Sequence, residues 1–402
     1  MWVSMSAKQD SENKVLGLDG AWAMAVGGMI GGGIFSTLGV VVSVAGRWAW
    51  LSFLIGGAIA FCSGHSYAEL TVKRDAPGGS YGFLRDLGYV RLARVLVWIM
   101  IAAYTLTVAV YGFTFGAYAA NAFSVPDWAA PAASLGAIAI VAGINLMGAG
   151  EADAVEQIAV WGKLAILLGL AGIGLWQWNP DKLVLGSGDP VGPLGAIAGV
   201  GVVFMAYEGF QLLSYDYGQM HDAKRTIRLG IRFAIGATCA TYILVSLGAT
   251  MLAGADTIVA RKEVALAEAG RAALGMAGFI AVTIAAVFST ASAINATVFA
   301  TARLARLAAG DGELPVLFGR CNDRGVPWIG VLVISGLAMG LAVIGGIAQL
   351  VEGASFVFLL VFALVNALAW HAGVRQRWLS GAGALASLLG SVVLVAYIAG
   401  LI

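Results

Sequence analysis

Apolar residues run in blocks of helix length along almost the whole chain, and polar residues gather in the short gaps between them. The blocks are continuously apolar rather than alternating, a pattern of membrane helices and not of barrel strands. Eleven spans follow, at 17–44, 48–70, 92–122, 131–148, 155–177, 192–216, 228–254, 274–307, 328–348, 350–373 and 381–401. Each reaches or approaches the roughly 20 apolar residues that a crossing requires. The gaps leave no room for a soluble domain. The gap at 255–273 (DTIVARKEVALAEAGRAAL and its neighbours) is amphipathic. It reads as short helices lying on the membrane surface, either a plain connection or a lid.

Composition agrees with an all-α polytopic membrane protein: 60% of residues are hydrophobic and 11% charged, against about 25% charged in soluble proteins. The first apolar run is too long for a cleavable signal and lacks an A-x-A site. Cys62, Cys239 and Cys321 are too scattered for a disulfide framework or a zinc site. No metal or cofactor is expected, and a net charge of +1 gives no reason to expect nucleic acid. The placement of charge is more telling. With the N-terminus inside, 17 of the 23 lysines and arginines fall on the inner side and five on the outer, with Lys163 inside a span. Lys8 and Lys14 are part of the inner set. The positive-inside rule then orients the chain in the plasma (inner) membrane with a cytoplasmic N-terminus, and an odd span count puts the C-terminus outside.

Departures from apolar helix at membrane depth are costly, so each is a candidate for function. GGMIGGGIF (27–35) places Gly31, Gly32 and Gly33 in succession inside span 1. That is either a break whose N–H groups face a cavity or a site of close helix packing. FMAYEGFQ (204–211) puts Glu208 before Gly209 inside span 6, flanked by Tyr207 and Phe210. It reads as a second break with a polar group at its edge, or as a carboxyl bonded locally for packing. Lys163 lies about 12 Å into span 5 at 1.5 Å per residue. It is either a buried proton carrier or a snorkelling side chain. Ser289 and Ser292 share a face of span 8, which Asn295 continues. By themselves they are ordinary glue between helices.

Two irregular elements five spans apart point to an inverted-repeat transporter. The halves are 15–177 and 192–373, with 381–402 as an added span. An enzyme is not expected. The histidines are His65, His221 and His371, with no H-E-x-x-H pair, no phosphate-binding G-x-x-x-x-G-K-[ST] loop and no G-x-S-x-G elbow.

These residues resemble the amino acid–polyamine–organocation (APC) superfamily of permeases over about residues 15–375. GGMIGGGIF is similar to its span 1 motif, YAEL (67–70) with APGGSYGFLRD (76–86) to the segment after span 2, and FMAYEGF to span 6. SAINATVFATARLARLAAGDGELP (292–315), RGVP (324–327) and ASFVFLLVFALVN (354–366) continue the match. The resemblance implies a five-plus-five inverted-repeat fold with broken spans 1 and 6. It implies an amino acid substrate between them, touched by Met29, Gly31, Gly32 and Gly33 and by Met205, Ala206, Tyr207, Glu208, Gly209 and Phe210. Backbone N–H groups of Gly31–Gly33 would take the carboxylate, and carbonyls near Met205–Gly209 the amine. It also implies a coupling site where spans 1, 5 and 8 meet, at the carbonyls of Gly27 and Ile30, with Lys163, Ser289 and Ser292. A lysine ammonium in place of sodium argues for protons. Two departures stand out: Gly32 lacks the small or hydroxyl side chain usual there, and Glu208 is unusual. The expected function is proton-coupled amino acid symport by alternating access. The alternative is amino acid/amine exchange, and a non-transporting sensor ranks below both.

Overall fold

The computed structural model describes residues 16–123, 125–126, 128–148, 153–188 and 192–401. Lys8, Lys14 and Ile402, the last residue of the added span, lie outside the described residues. The spans are Leu18–Ala45 (span 1), Ala49–Arg74 (span 2), Val90–Phe123 (span 3), Ala129–Leu146 (span 4) and Asp153–Trp176 (span 5). Span 6 starts as Gly195–Val203 and continues as two tight turns of 3-10 helix, Phe204–Tyr207 and Phe210–Ser214. Span 7 is Ala223–Ala253, span 9 Trp328–Ile344, span 10 Ile347–His371 and span 11 Arg377–Ile398. Span 8 is the part beyond Gly275 of a long helix, Ala265–Gly310, which bends at Leu274 and Gly275. The protein is an all-α polytopic membrane protein. Eight described helices are long and apolar enough to cross, the first of them containing both spans 1 and 2, and spans 6 and 9 are shorter apolar helices.

Span 1 differs from expectation: Leu18–Ala45 is one continuous helix through GGMIGGGIF. The reason is packing. Successive helical positions point about 100° apart, so three adjacent glycines open three different faces. A Cβ at Gly31 would stand 2.7 Å from Ala293 Cβ of span 8, one at Gly32 2.1 Å from the Tyr111 ring of span 3, and one at Gly33 2.4 Å from Tyr242 Oη of span 7. The Gly28 position stands 3.2 Å from Gly209 Cα of span 6. Span 1 is thus the axis on which four other spans close. Small residues let backbones approach where lipid offers no hydrophobic drive for helices to associate.

Span 6 is broken as expected. Glu208 leaves the helix with φ −69° and ψ 149°. Gly209 follows at φ 129° and ψ −39°, a conformation that a side chain strains. The amphipathic segment after span 7 forms the expected short helices, Ala255–Ala260 and Lys262–Val264. It lies directly over the end of span 1, where a Cβ at Gly39 would stand 2.5 Å from Lys262 Cα.

The arginine-rich face is laced by ion pairs. Arg228 of span 7 donates two 2.8 Å bonds to Glu69 of span 2, a carboxylate 4% exposed. Arg303 of span 8 meets Asp216, just past span 6, at 3.3 Å. Arg94 of span 3 bonds Glu313 at 2.5 Å, and Arg85 and Tyr81, on the short helix Gly79–Asp86, both reach Asp311. Span 11 docks through polar groups. Ser66 of span 2 donates to Asn366 Oδ1 of span 10 at 2.6 Å, and its oxygen lies 2.8 Å from the Ser380 hydroxyl of span 11.

Candidate functional site

The break of span 6 faces the glycine side of span 1 at the centre of the protein. The two backbones touch: a Cβ at Gly209 would stand 2.7 Å from Gly28 C and Met29 N. Tyr242 of span 7 clasps both, its hydroxyl 2.7 Å from Met29 O and 2.8 Å from Ala206 O. One hydroxyl proton therefore serves two carbonyls, one on each span. On the other side of the break, Ser355 of span 10 accepts from Met205 N–H at 2.9 Å and donates to Val202 O at 3.0 Å. Backbone groups freed at membrane depth must find such partners.

Glu208 is 1% exposed and lies in this break. Its carboxylate accepts from Gln211 Nε2 at 2.6 Å, and the same amide nitrogen lies 3.3 Å from Tyr104 Oη of span 3. The carbonyl end of Gln211 accepts from Gly209 N–H at 2.8 Å. Gln211 thus ties the acid to the broken backbone. It closes the stretch FMAYEGFQ, and its polarity at span depth was the signal for it. Tyr207 donates to Phe53 O of span 2 at 2.6 Å. Phe210 packs its ring on Tyr67 and Phe362, at centroid distances of 5.8 and 5.3 Å. Both therefore wall the break from the span 2 and span 10 side.

The second cluster joins spans 1, 5 and 8. Lys163 is 6% exposed, and its ammonium donates to Gly27 O at 3.2 Å. Ser289 donates to Ile30 O at 3.2 Å. Ser292, three residues further along span 8, is half-buried. Asn295 accepts from Asn145 of span 4 at 2.7 Å. Tyr104, Tyr111, Tyr242 and Ser355 border the central site and were not singled out in the sequence. A tyrosine or serine in an apolar helix carries no signal of which way it faces.

A broken span thus packs on the glycine side of span 1, with Lys163 on the Gly27 carbonyl close by. A family model described as amino acid permease matches residues 16–402. The chain belongs to the amino acid permease family. Among relatives of this permease is the inner membrane transport protein YbaT of Escherichia coli, 29% identical over 99% of this chain and 92% of its own length. The serine/threonine exchanger SteT of Bacillus subtilis is 22% identical over 90% and 83%. The methylthioribose transporter of the same organism is 25% identical over 87% and 80%. The permease is therefore a multi-pass membrane transporter and not an enzyme, and its relatives carry cargo of more than one chemistry.

Proposed function

We propose that this permease carries amino acids by alternating access with protons as the coupling ion. The observation that carries the reading is the Lys163 ammonium on the Gly27 carbonyl, beside Ser289 on the Ile30 carbonyl. A fixed cation there holds span 5 against span 1. When the lysine gives up its proton, it loses much of its hold on the carbonyl. Spans 1 and 6 are then free to rock against the rest. The halves 15–177 and 192–373 act as inverted repeats in that motion, with the N-terminus inside and the C-terminus outside.

The substrate lodges where the stretch of span 1 holding Met29 and Gly31–Gly33 meets the break at Met205–Phe210. Span 1 is helical here, so the N–H groups of Gly31–Gly33 are engaged within it. The polar groups that offer themselves to the substrate are those of the span 6 break and of Glu208. Lys163→Ala protein in liposomes is expected to lose accumulation driven by a pH gradient while still binding substrate. Undiminished accumulation in that variant would rule the lysine out as the coupler.

A second reading, exchange of an amino acid for an amine, is favoured by one feature: Glu208 places a carboxyl group within the break, beside Gln211. The Bacillus subtilis relative is named as an exchanger, of serine and threonine. Uptake that occurs only into liposomes preloaded with substrate, with or without a pH gradient, selects exchange over symport.

A further inference from the structure

Gly32 lacks the side chain that the resemblance leads one to expect at the heart of the substrate face. Its place is not vacant. The Tyr111 ring of span 3 stands so close that a Cβ on Gly32 would lie 2.1 Å from Cδ1 and 2.3 Å from Cε1. Tyr111 is 1% exposed, and its hydroxyl is buried without a hydrogen-bond partner. A buried hydroxyl left unpaired costs free energy, so a group that completes its bonding is favoured there.

The ring has little room to retreat. One turn on, Thr114 Oγ1 and Ser36 Oγ meet at 2.8 Å, tying span 3 to span 1 beside Tyr111. Behind it, span 3 is pressed against span 4. A Cβ at Gly112 would stand 2.5 Å from Ile138 Cδ1, and one at Gly116 2.1 Å from Ser134 Oγ. Span 3 can neither back away nor separate from span 1 without losing these contacts. While these contacts hold, space for a substrate beside Gly32 comes from a turn of the Tyr111 side chain.

We propose that Tyr111 is the size filter of the substrate site, and that the permease carries small amino acids with side chains no larger than that of serine. This deepens the transport reading above and rests on it. The ring fills the compartment that a large side chain would need, and its hydroxyl bonds the substrate that displaces it. Densely packed interiors give way poorly to added volume, and a single methylene misfit shifts selectivity by about 10- to 200-fold.

The test is uptake of labelled glycine, alanine, serine, leucine and phenylalanine by purified protein in liposomes. The wild type should carry the first three with half-saturating concentrations at least about tenfold below those of the last two. Tyr111→Ala should remove that gap by admitting leucine and phenylalanine. Tyr111→Phe, nearly isosteric and so a control for folding, should keep the gap and raise the half-saturating concentration of the small substrates about tenfold. Should Tyr111→Ala not fold, Tyr111→Leu serves the same purpose. Equal uptake of all five by the wild type, or an unchanged gap in the shortened variants, overturns the filter and leaves the transport reading standing. Uptake of none of the five by folded wild type overturns the proposed substrate class, and the filter with it, while the transport reading stands.

Discussion

At the scale of single residues, two glycines separate conformation from packing. Gly209 needs both: its φ of 129° excludes most side chains, and its Cβ position is 2.7 Å from the backbone of span 1. Gly162 in span 5 needs neither, having nothing within 4 Å of its Cβ position. Gly209→Ala is therefore expected to cost about 3 kcal/mol or more, from strain and overpacking together. It should yield protein that melts far below wild type in detergent or is not monodisperse. Gly162→Ala should instead be neutral or stabilise by about 0.5–1 kcal/mol through helix propensity. Equal melting temperatures for the two variants would refute the strain and close contact assigned to Gly209. Glu208 and Gly209 were legible because a carboxylate and a glycine interrupt an apolar run. Gly31–Gly33 were visible too, but their partners were not: Ala293, Tyr111 and Tyr242 come from three other spans.

Among the elements, spans 1 and 6 solve one problem in opposite ways. Span 1 keeps its backbone bonds and gives up side chains, so that neighbours close on it. Span 6 gives up backbone bonds and recruits side chains to replace them. Ser355 is the clearest recruit, fully buried and bonded to both Met205 N–H and Val202 O. Ser355→Ala leaves both groups unpaired and should cost about 1–3 kcal/mol. The measurable effect is a lower melting temperature together with slowed uptake, because the break would lose its tie to span 10. A variant with wild-type melting and uptake would show that the break is supported elsewhere. The span 6 break could be anticipated from composition within that span. Its support could not, since Ser355 is about 150 residues away and is one serine among many.

Across the whole molecule, the charged face and the opposite face differ in kind. The first is tied by Glu69–Arg228, Asp216–Arg303 and Arg94–Glu313. The second is covered by the segment whose Lys262 backbone rests on Gly39. Cys321 offers a direct check on which side is which. Cys62 and Cys239 lie within spans 2 and 7, whereas Cys321 sits in the connection between spans 8 and 9. A membrane-impermeant maleimide is expected to label Cys321 in inside-out vesicles and not in intact cells. The reverse pattern would invert the orientation drawn from the lysine and arginine count.

The sequence by itself determined the helical membrane class, the eleven spans to within a few residues for most of them, and the polar positions worth attention. Those features are local: a run of apolar residues or a lone carboxylate inside it is readable without knowing its neighbours. The tertiary structure decided what the glycines of span 1 are for. Whether a glycine marks a break or a contact depends on what stands opposite, and Tyr111, Tyr242 and Ala293 arrive there only when spans 3, 7 and 8 close on span 1. The same closure brought Lys163 to the Gly27 carbonyl and put a tyrosine ring where Gly32 has no side chain.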